Sequence, residues 1–172
     1  MALTQVTGRG LGTQTTLAGS NTLVLDTDGI MTKPLQPAFL VQPASSQDNI
    51  PINADTTIVF GTEIYDQNGD FASNTFTAPV TGRYQLNVHI YVQHLDTATS
   101  WVQCTLLTSN RTYYDIIEPD FSGDLHYFVF KLAILADMDA SDTAYVRLDL
   151  HNSGSSQMDV QTNSFFSGFL AC

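Results

Sequence analysis

Three of the four histidines in this 172-residue chain, His94, His126 and His151, fall at the ends of stretches that read as β-strands, and Asp96, Glu118, Asp120, Asp124 and Asp159 lie close by. Imidazole and carboxylate together are a donor set for a divalent metal, and a histidine beside an acid is a simple pH-responsive contact. Taken singly, the same residues are ordinary solvated strand ends. Nucleophilic and hydrolytic chemistry has less support. The sequence has no Gly-x-Ser-x-Gly elbow, no His-Glu-x-x-His helix and no Cys-x-x-Cys pair. The turn "DQNGDF" starts like a calcium loop with Asp66, Asn68 and Asp70, but its glycine comes too early and no Glu stands at the twelfth position. A plain Asn-Gly turn describes it better. Gly8, Gly10 and Gly12 of "GRGLG" match neither the dinucleotide nor the P-loop spacing.

Short strands broken by turn chemistry must position these residues. Candidate strands are Ala38 to Val41, Thr57 to Phe60, Arg83 to Gln93, Trp101 to Thr108, Thr112 to Ile117, Tyr127 to Leu135, Ala144 to His151 and Ser164 to Leu170. Between them lie "DQNGD", "SNR", "EPDFSGD", "DMDASD" and "NSGSS", all rich in residues that satisfy turn backbone with their own side chains. No helical stripe exceeds two turns, so the fold class is all-β, a sandwich or barrel. In "FTAPVTGRYQLNVHIYV", Tyr84, Leu86, Val88, Ile90 and Val92 alternate with mostly polar residues, which predicts one core face and one face that meets something else. Phe39, Phe60, Tyr65, Phe71, Phe76, Tyr84, Phe128, Phe130, Phe165 and Phe169 recur along the strands, and packing is their expected role. Trp101, Tyr113 and Tyr114, near strand ends, are candidates for stacking on carbohydrate.

Composition narrows the function further. With 17 Asp and Glu against 6 Lys and Arg, the net charge is -11, and the few basic residues are scattered. No nucleic-acid footprint and no attraction to anionic membranes is expected. No leader-like or membrane-spanning apolar run is present, and Cys104 and Cys172 do not make a disulfide framework, although they could pair. Asn110-Arg111-Thr112 is a formal glycosylation acceptor. Residues 1–33 are rich in Thr and Gly, lack aromatics and carry one aliphatic patch at Leu23, Val24 and Leu25. They read as an extended lead-in or stalk segment, with residues 34–172 as the folded domain.

Within the domain, the order Phe60, Asp66, Phe71, Phe76, Gly82, Tyr84, Leu86, Val88, His89 resembles the signature of the C1q and tumour-necrosis-factor-like family. "KPLQPAFLV" is similar to that family's opening strand and "SFFSGFLAC" to its closing one. Two departures stand out: the gap from Phe71 to Phe76 is shorter than usual, and Leu86 and Val88 replace aromatics. The lead-in resembles the Thr/Gly-rich segments that precede such heads in bacteriophage tail fibres, and no collagen repeat precedes the domain.

The resemblance implies a ten-stranded, two-sheet jelly roll that assembles as a homotrimer, with both chain ends at one pole. It places Asn87, His89, Tyr91 and Gln93 toward the threefold axis. Loops at the far pole, about residues 44–49, 94–100, 118–125 and 152–161, would bind the ligand, with His94, Asp96, Trp101, Glu118, Asp120, Asp124, His126, His151 and Asp159 as candidate contacts. No cofactor is implied, although threefold repetition could build a divalent-metal site or a pH-sensitive tip there. The expected function is a non-enzymatic, receptor-binding tip of a tail fibre on a virion, attaching by avidity to a cell-surface glycan or protein. A secreted bacterial adhesion or matrix module of the same fold is the alternative. A polysaccharide hydrolase is a third class, requiring two carboxylates about 5–10 Å apart in a groove.

Overall fold

The computed structural model describes residues 28–152 and 154–172, together with two short strands, β1 (Thr15–Thr16) and β2 (Val24–Leu25). Contacts divide the chain into two units, Met1–Gln36 and Pro37–Cys172. In the first, β1, β2 and β3 (Met31–Thr32) pair antiparallel in that order. Gly8, Gly10, Gly12 and Leu23 lie outside the described residues.

The second unit is a sandwich of two antiparallel sheets, and no helix occurs among the described residues. Its strands are β4 (Ala38–Gln42), β5 (Thr56–Thr57), β6 (Thr62–Asp66), β7 (Phe71–Ala72), β8 (Thr75–Thr77) and β9 (Gly82–Gln93). They continue as β10 (Trp101–Thr108), β11 (Thr112–Ile117), β12 (Phe128–Met138), β13 (Thr143–His151), β14 (Asp159–Val160) and β15 (Phe165–Leu170). One sheet runs β12-β9-β15-β4-β6 and the other β11-β10-β13-β8-β7. These ten strands form the expected jelly roll. Two short pieces are added: β14 pairs with β9 beyond the end of β15, and β5 pairs with β13 beyond β8.

β9 is the organising element. Tyr84, Leu86, Val88, Ile90 and Val92 are all buried, while Gln85, Asn87, His89, Tyr91 and Gln93 are half-buried on the other face. Each fully buried apolar side chain of this size contributes about 1.5–3 kcal/mol, so this one strand anchors much of the core. The Tyr84 hydroxyl donates to Val80 O at 2.7 Å, which satisfies its polar end inside the sandwich. Opposite, Phe39 stacks on Phe76 and Phe71 with centroids 4.7 and 5.4 Å away, and meets Phe166 edge-on at 4.9 Å.

Three of the expected core aromatics point elsewhere. Tyr65 and Phe169 are half exposed, and Phe165 is on the outer face, where its ring lies flat on His89 at 4.8 Å. Phe166 and Gly168 take the inward places on β15, because the register with β9 pairs Phe166 with Val88 and Gly168 with Leu86. Neighbouring aromatics do not reveal which one faces in. Tyr113, which packs against the core, and Tyr114, which is exposed, directly follow the first residue of β11.

Other differences are local. The expected strand Thr57 to Phe60 shortens to β5, since Val59 N–H donates to Gln47 Oε1 and Phe60 N–H to Asn74 Oδ1. In the "DQNGDF" turn, both Asp66 oxygens accept backbone N–H groups, from Asp70 at 3.0 Å and Phe71 at 2.9 Å. Gly69 takes φ +72°, so the segment is a closed turn with its first carboxylate already committed. Cys104 is buried and unpaired and Cys172 is exposed and unpaired, so the possible bridge does not form.

Leu170 N–H donates to Pro37 O at 3.0 Å and Arg83 N–H to Cys172 O at 2.7 Å, so both ends of this unit lie at one pole, beside the start of β9. The closing strand fits there with no room to spare. A Cβ on Gly168 would stand 2.6 Å from Leu86 Cδ2 and 2.8 Å from Phe39 Cε1. Gly168→Ala is therefore expected to lower unfolding free energy by about 1–3 kcal/mol, measured from denaturant midpoints.

Candidate functional site

At the opposite pole the four expected loops meet. Leu95 and Leu125 exchange backbone hydrogen bonds at 3.0 and 2.9 Å, joining the β9–β10 loop to the β11–β12 loop. Gln47 and Val160 do the same at 2.9 Å each, joining the β4–β5 loop to β14. Side chains complete the connection. Asp159 accepts from Asn49 N–H at 2.8 Å with one oxygen and contacts His94 Nδ1 at 2.9 Å with the other. Asn49 and His94 hold left-handed backbone, φ +56° and +58°, an uncommon state that Asn and His tolerate better than most residues.

Asp124 links a second set of loops in the same manner. Its Oδ1 accepts from Thr97 N–H and Oγ1 at 3.1 and 3.2 Å, and its Oδ2 from Gln157 Nε2 at 3.0 Å. Those donors, the Thr97 backbone first, hold the Asp124 carboxyl below its ordinary value. Asp96 accepts from Ala98 N–H at 2.8 Å and, through Oδ2, from Ser155 N–H at 2.9 Å. Gly154 makes this last approach possible, since a Cβ there would lie 2.9 Å from Asp96 Oδ2.

A shallow depression of about 310 Å³ opens between these loops. His94, Asp124, His126 and Asp159 line it, so the fold brings together four of the nine residues expected at this pole. Asn49, Leu125 and Gln157 complete it. Asn49 and Gln157 have no sequence signal, because an amide in a turn-rich loop looks like turn chemistry. The other five residues are placed differently. Asp96 ties the 94–100 loop to Ser155, while Glu118 and Asp120 stand exposed. Trp101 and His151 are cross-strand partners on β10 and β13, their rings stacked at 5.0 Å and 14°. They form a separate aromatic step on the outer face of the second sheet. Among the described residues, no three His, Cys, Asp or Glu side chains converge to hold a metal ion within one chain.

The second face of interest is the outer side of β12-β9-β15-β4-β6. Along β9, Gln85 Nε2 donates to Asn87 Oδ1 at 3.1 Å and Gln93 Nε2 to the Tyr91 hydroxyl at 3.3 Å. Tyr91 lies parallel to Tyr127 at 6.0 Å. Leu135 across from Gln85 on one side, Phe169 on the other, and Tyr65 further out are each about half exposed. The face is thus a polar ladder flanked by apolar side chains, with exposed Lys131 across from His89 at its centre.

Comparison with known proteins agrees with this architecture. The C1q domain family matches residues 38–171. The chain belongs to the C1q domain family. Among solved structures, the globular domain of zebrafish complement 1qA is similar with a TM-score of 0.56 at 16% identity, covering 79% of this chain and 98% of that one. Murine APRIL at pH 8.5 is similar with a TM-score of 0.54 at 10% identity, covering 78% and 98%. No curated protein sequence matches. Asn110, the formal glycosylation acceptor of this C1q domain, spends its amide on Asp137 O and Asp142 Oδ2 at 3.0 and 2.9 Å.

Two titrations follow. Asp124 is expected to titrate below 3.8, so its loop contacts are present above that pH and are lost as pH falls through the lower folded value; carboxyl NMR and Thr97 amide exchange read this directly. His89 is lowered from 6.5 by burial and then by Lys131, so the folded state resists its protonation. Stability present above pH 6.5 should fall as pH drops below it, and His89→Gln should flatten that slope in denaturant titrations.

Proposed function

We propose that this C1q domain is the non-enzymatic, homotrimeric receptor-binding head of a bacteriophage tail fibre, presenting the four-loop pole to a cell surface and joined to its stalk by the N-terminal segment. C1q and tumour-necrosis-factor-like heads are typically trimeric, extracellular binding modules. One observation carries the assembly: the outer face of β12-β9-β15-β4-β6, with its half-buried Asn87, His89, Tyr91 and Gln93 beside exposed Leu135 and Phe169. Large apolar side chains rimming uncharged hydrogen-bonding groups suit burial between copies.

The binding pole supports the rest of the reading. Cross-linked loops on a rigid sandwich form a fixed surface whose side chains are free to vary, and three such surfaces per head multiply weak contacts. The Thr/Gly-rich lead-in, similar to those of tail fibres, favours the phage setting, and tail or baseplate genes flanking the coding sequence would support it over the secreted adhesion module.

Light scattering on a sizing column tests the assembly. A mass near three times 18.8 kDa is expected. Leu135→Asp with Phe169→Asp should give a folded monomer, because buried unpaired carboxylates at an interface cost several kcal/mol. A monomeric wild-type chain at micromolar concentration would remove the basis for avidity.

A further inference from the structure

The depression at the loop pole has a composition that selects its ligand. Its two carboxylates are already committed: Asp159 to Asn49 N–H and His94, Asp124 to Thr97 and Gln157. They are therefore held in place and oriented, and among the described residues no three His, Cys, Asp or Glu side chains converge here. No Lys or Arg lines the depression, so an anionic ligand would face two carboxylates without a counter-charge. Leu125 is the one aliphatic side chain of the lining, but carbon atoms of the other side chains make much of the surface apolar, so a fitting ligand presents C–H as well as hydroxyl surface.

Unspent hydrogen-bonding groups remain, one on each of three loops. The His126 ring forms no hydrogen bond among the described residues and is exposed. The second ring nitrogen of His94 and the side-chain amide of Asn49 are likewise uncommitted, since Asn49 uses its backbone in the contacts with Asp159 and Ser156. Donors and acceptors thus stand around a partly apolar hollow of about 310 Å³, at the lower end of ligand-sized cavities.

We propose that this depression is a saccharide subsite for an uncharged, hydroxyl-rich sugar residue, read by His126, His94 and Asn49, and that it discriminates against sialylated and uronic-acid glycans. The inference rests on the receptor-binding reading and narrows its ligand to one chemical class. Committed carboxylates hold the loops in place, and the uncommitted imidazoles and amide contact the sugar. Each lost hydrogen bond to a bound hydroxyl is a loss of about 1 kcal/mol or more in affinity, roughly fivefold to tenfold.

The test uses the full chain on an array of neutral hexose and N-acetylhexosamine oligosaccharides printed beside sialylated and uronic-acid ones, followed by titration of the strongest neutral binder. Capture by neutral members is expected. His126→Ala should weaken the titrated affinity about tenfold with an unchanged melting temperature. Asn49→Gly, which keeps the left-handed backbone while removing the amide, should weaken it about fivefold. Capture by acidic glycans alone, no capture of any oligosaccharide, or wild-type affinity in both variants would overturn the proposal. The sizing measurement separates the two readings: a trimer that ignores neutral sugars defeats the subsite and leaves the head domain standing. A monomer that binds them through His126 defeats the avidity reading and leaves the subsite.

Discussion

The alternation of β9 is the constraint on which the remainder of the structure depends. Twelve residues in one strand place Tyr84, Leu86, Val88, Ile90 and Val92 in the core and Gln85, Asn87, His89, Tyr91 and Gln93 outside it. β12 is bonded along one side of this strand and β15 and β14 along the other, so a slip of one residue would carry the polar row into the sandwich. That slip is strongly disfavoured, because five apolar side chains would become wet while amides and an imidazole lost water without partners. Fixing β9 also fixes the two poles, since its first residues meet Cys172 and its last meet β14 and Asp159.

The four loops at the far end inherit their positions from that frame. Their apolar anchors are few: Leu95, Met158 and Val160 are buried in the core, and Leu95 is joined to Leu125 by backbone hydrogen bonds. What holds the loops is a set of carboxylates used as acceptors: Asp159, Asp124 and Asp96 each link two loops or tie a turn to its neighbour. An anionic acceptor makes a stronger bond to an N–H than a neutral one does, so a few such links supplement these apolar anchors. The high acidity of the chain thus has a structural use at this pole. The same commitment leaves the second ring nitrogen of His94, the His126 imidazole and the Asn49 amide with unspent hydrogen-bonding capacity among the described residues.

The two outer faces differ in kind. On the β9 face, stacked pairs His89–Phe165 and Tyr91–Tyr127 and the glutamine bonds pre-organise the side chains, which lowers the entropy lost when another surface covers them. On the β10 face, Trp101 and His151 stack near the strand ends, while Arg147 is ion-paired to Asp55 on the adjoining loop. The β10 face also carries a polar pair, Gln103 donating to Thr105 at 2.9 Å, beside exposed Tyr114 and Ile116, but its other flank is the charged residues Arg147 and Asp149.

Periodicity and turn chemistry in the sequence by themselves determined the all-β class, most of the longer strands, the inward face of β9 and the segments that become the loop pole. These are local properties: a period of two and a turn-forming side chain act within a few residues. The strands β6, β7, β8 and β14 were not legible, because each is too short or too exposed to show alternation and forms only where a longer strand offers its edge. Tertiary structure alone decided that Phe166 rather than Phe165 enters the core, since register is set by the neighbouring strand. It alone chose which acids and histidines meet. Asp159 reaches Asn49, 110 residues away, and Asp124 reaches Gln157 across 33, contacts that depend on sheet pairing between distant segments and leave no mark in either sequence neighbourhood.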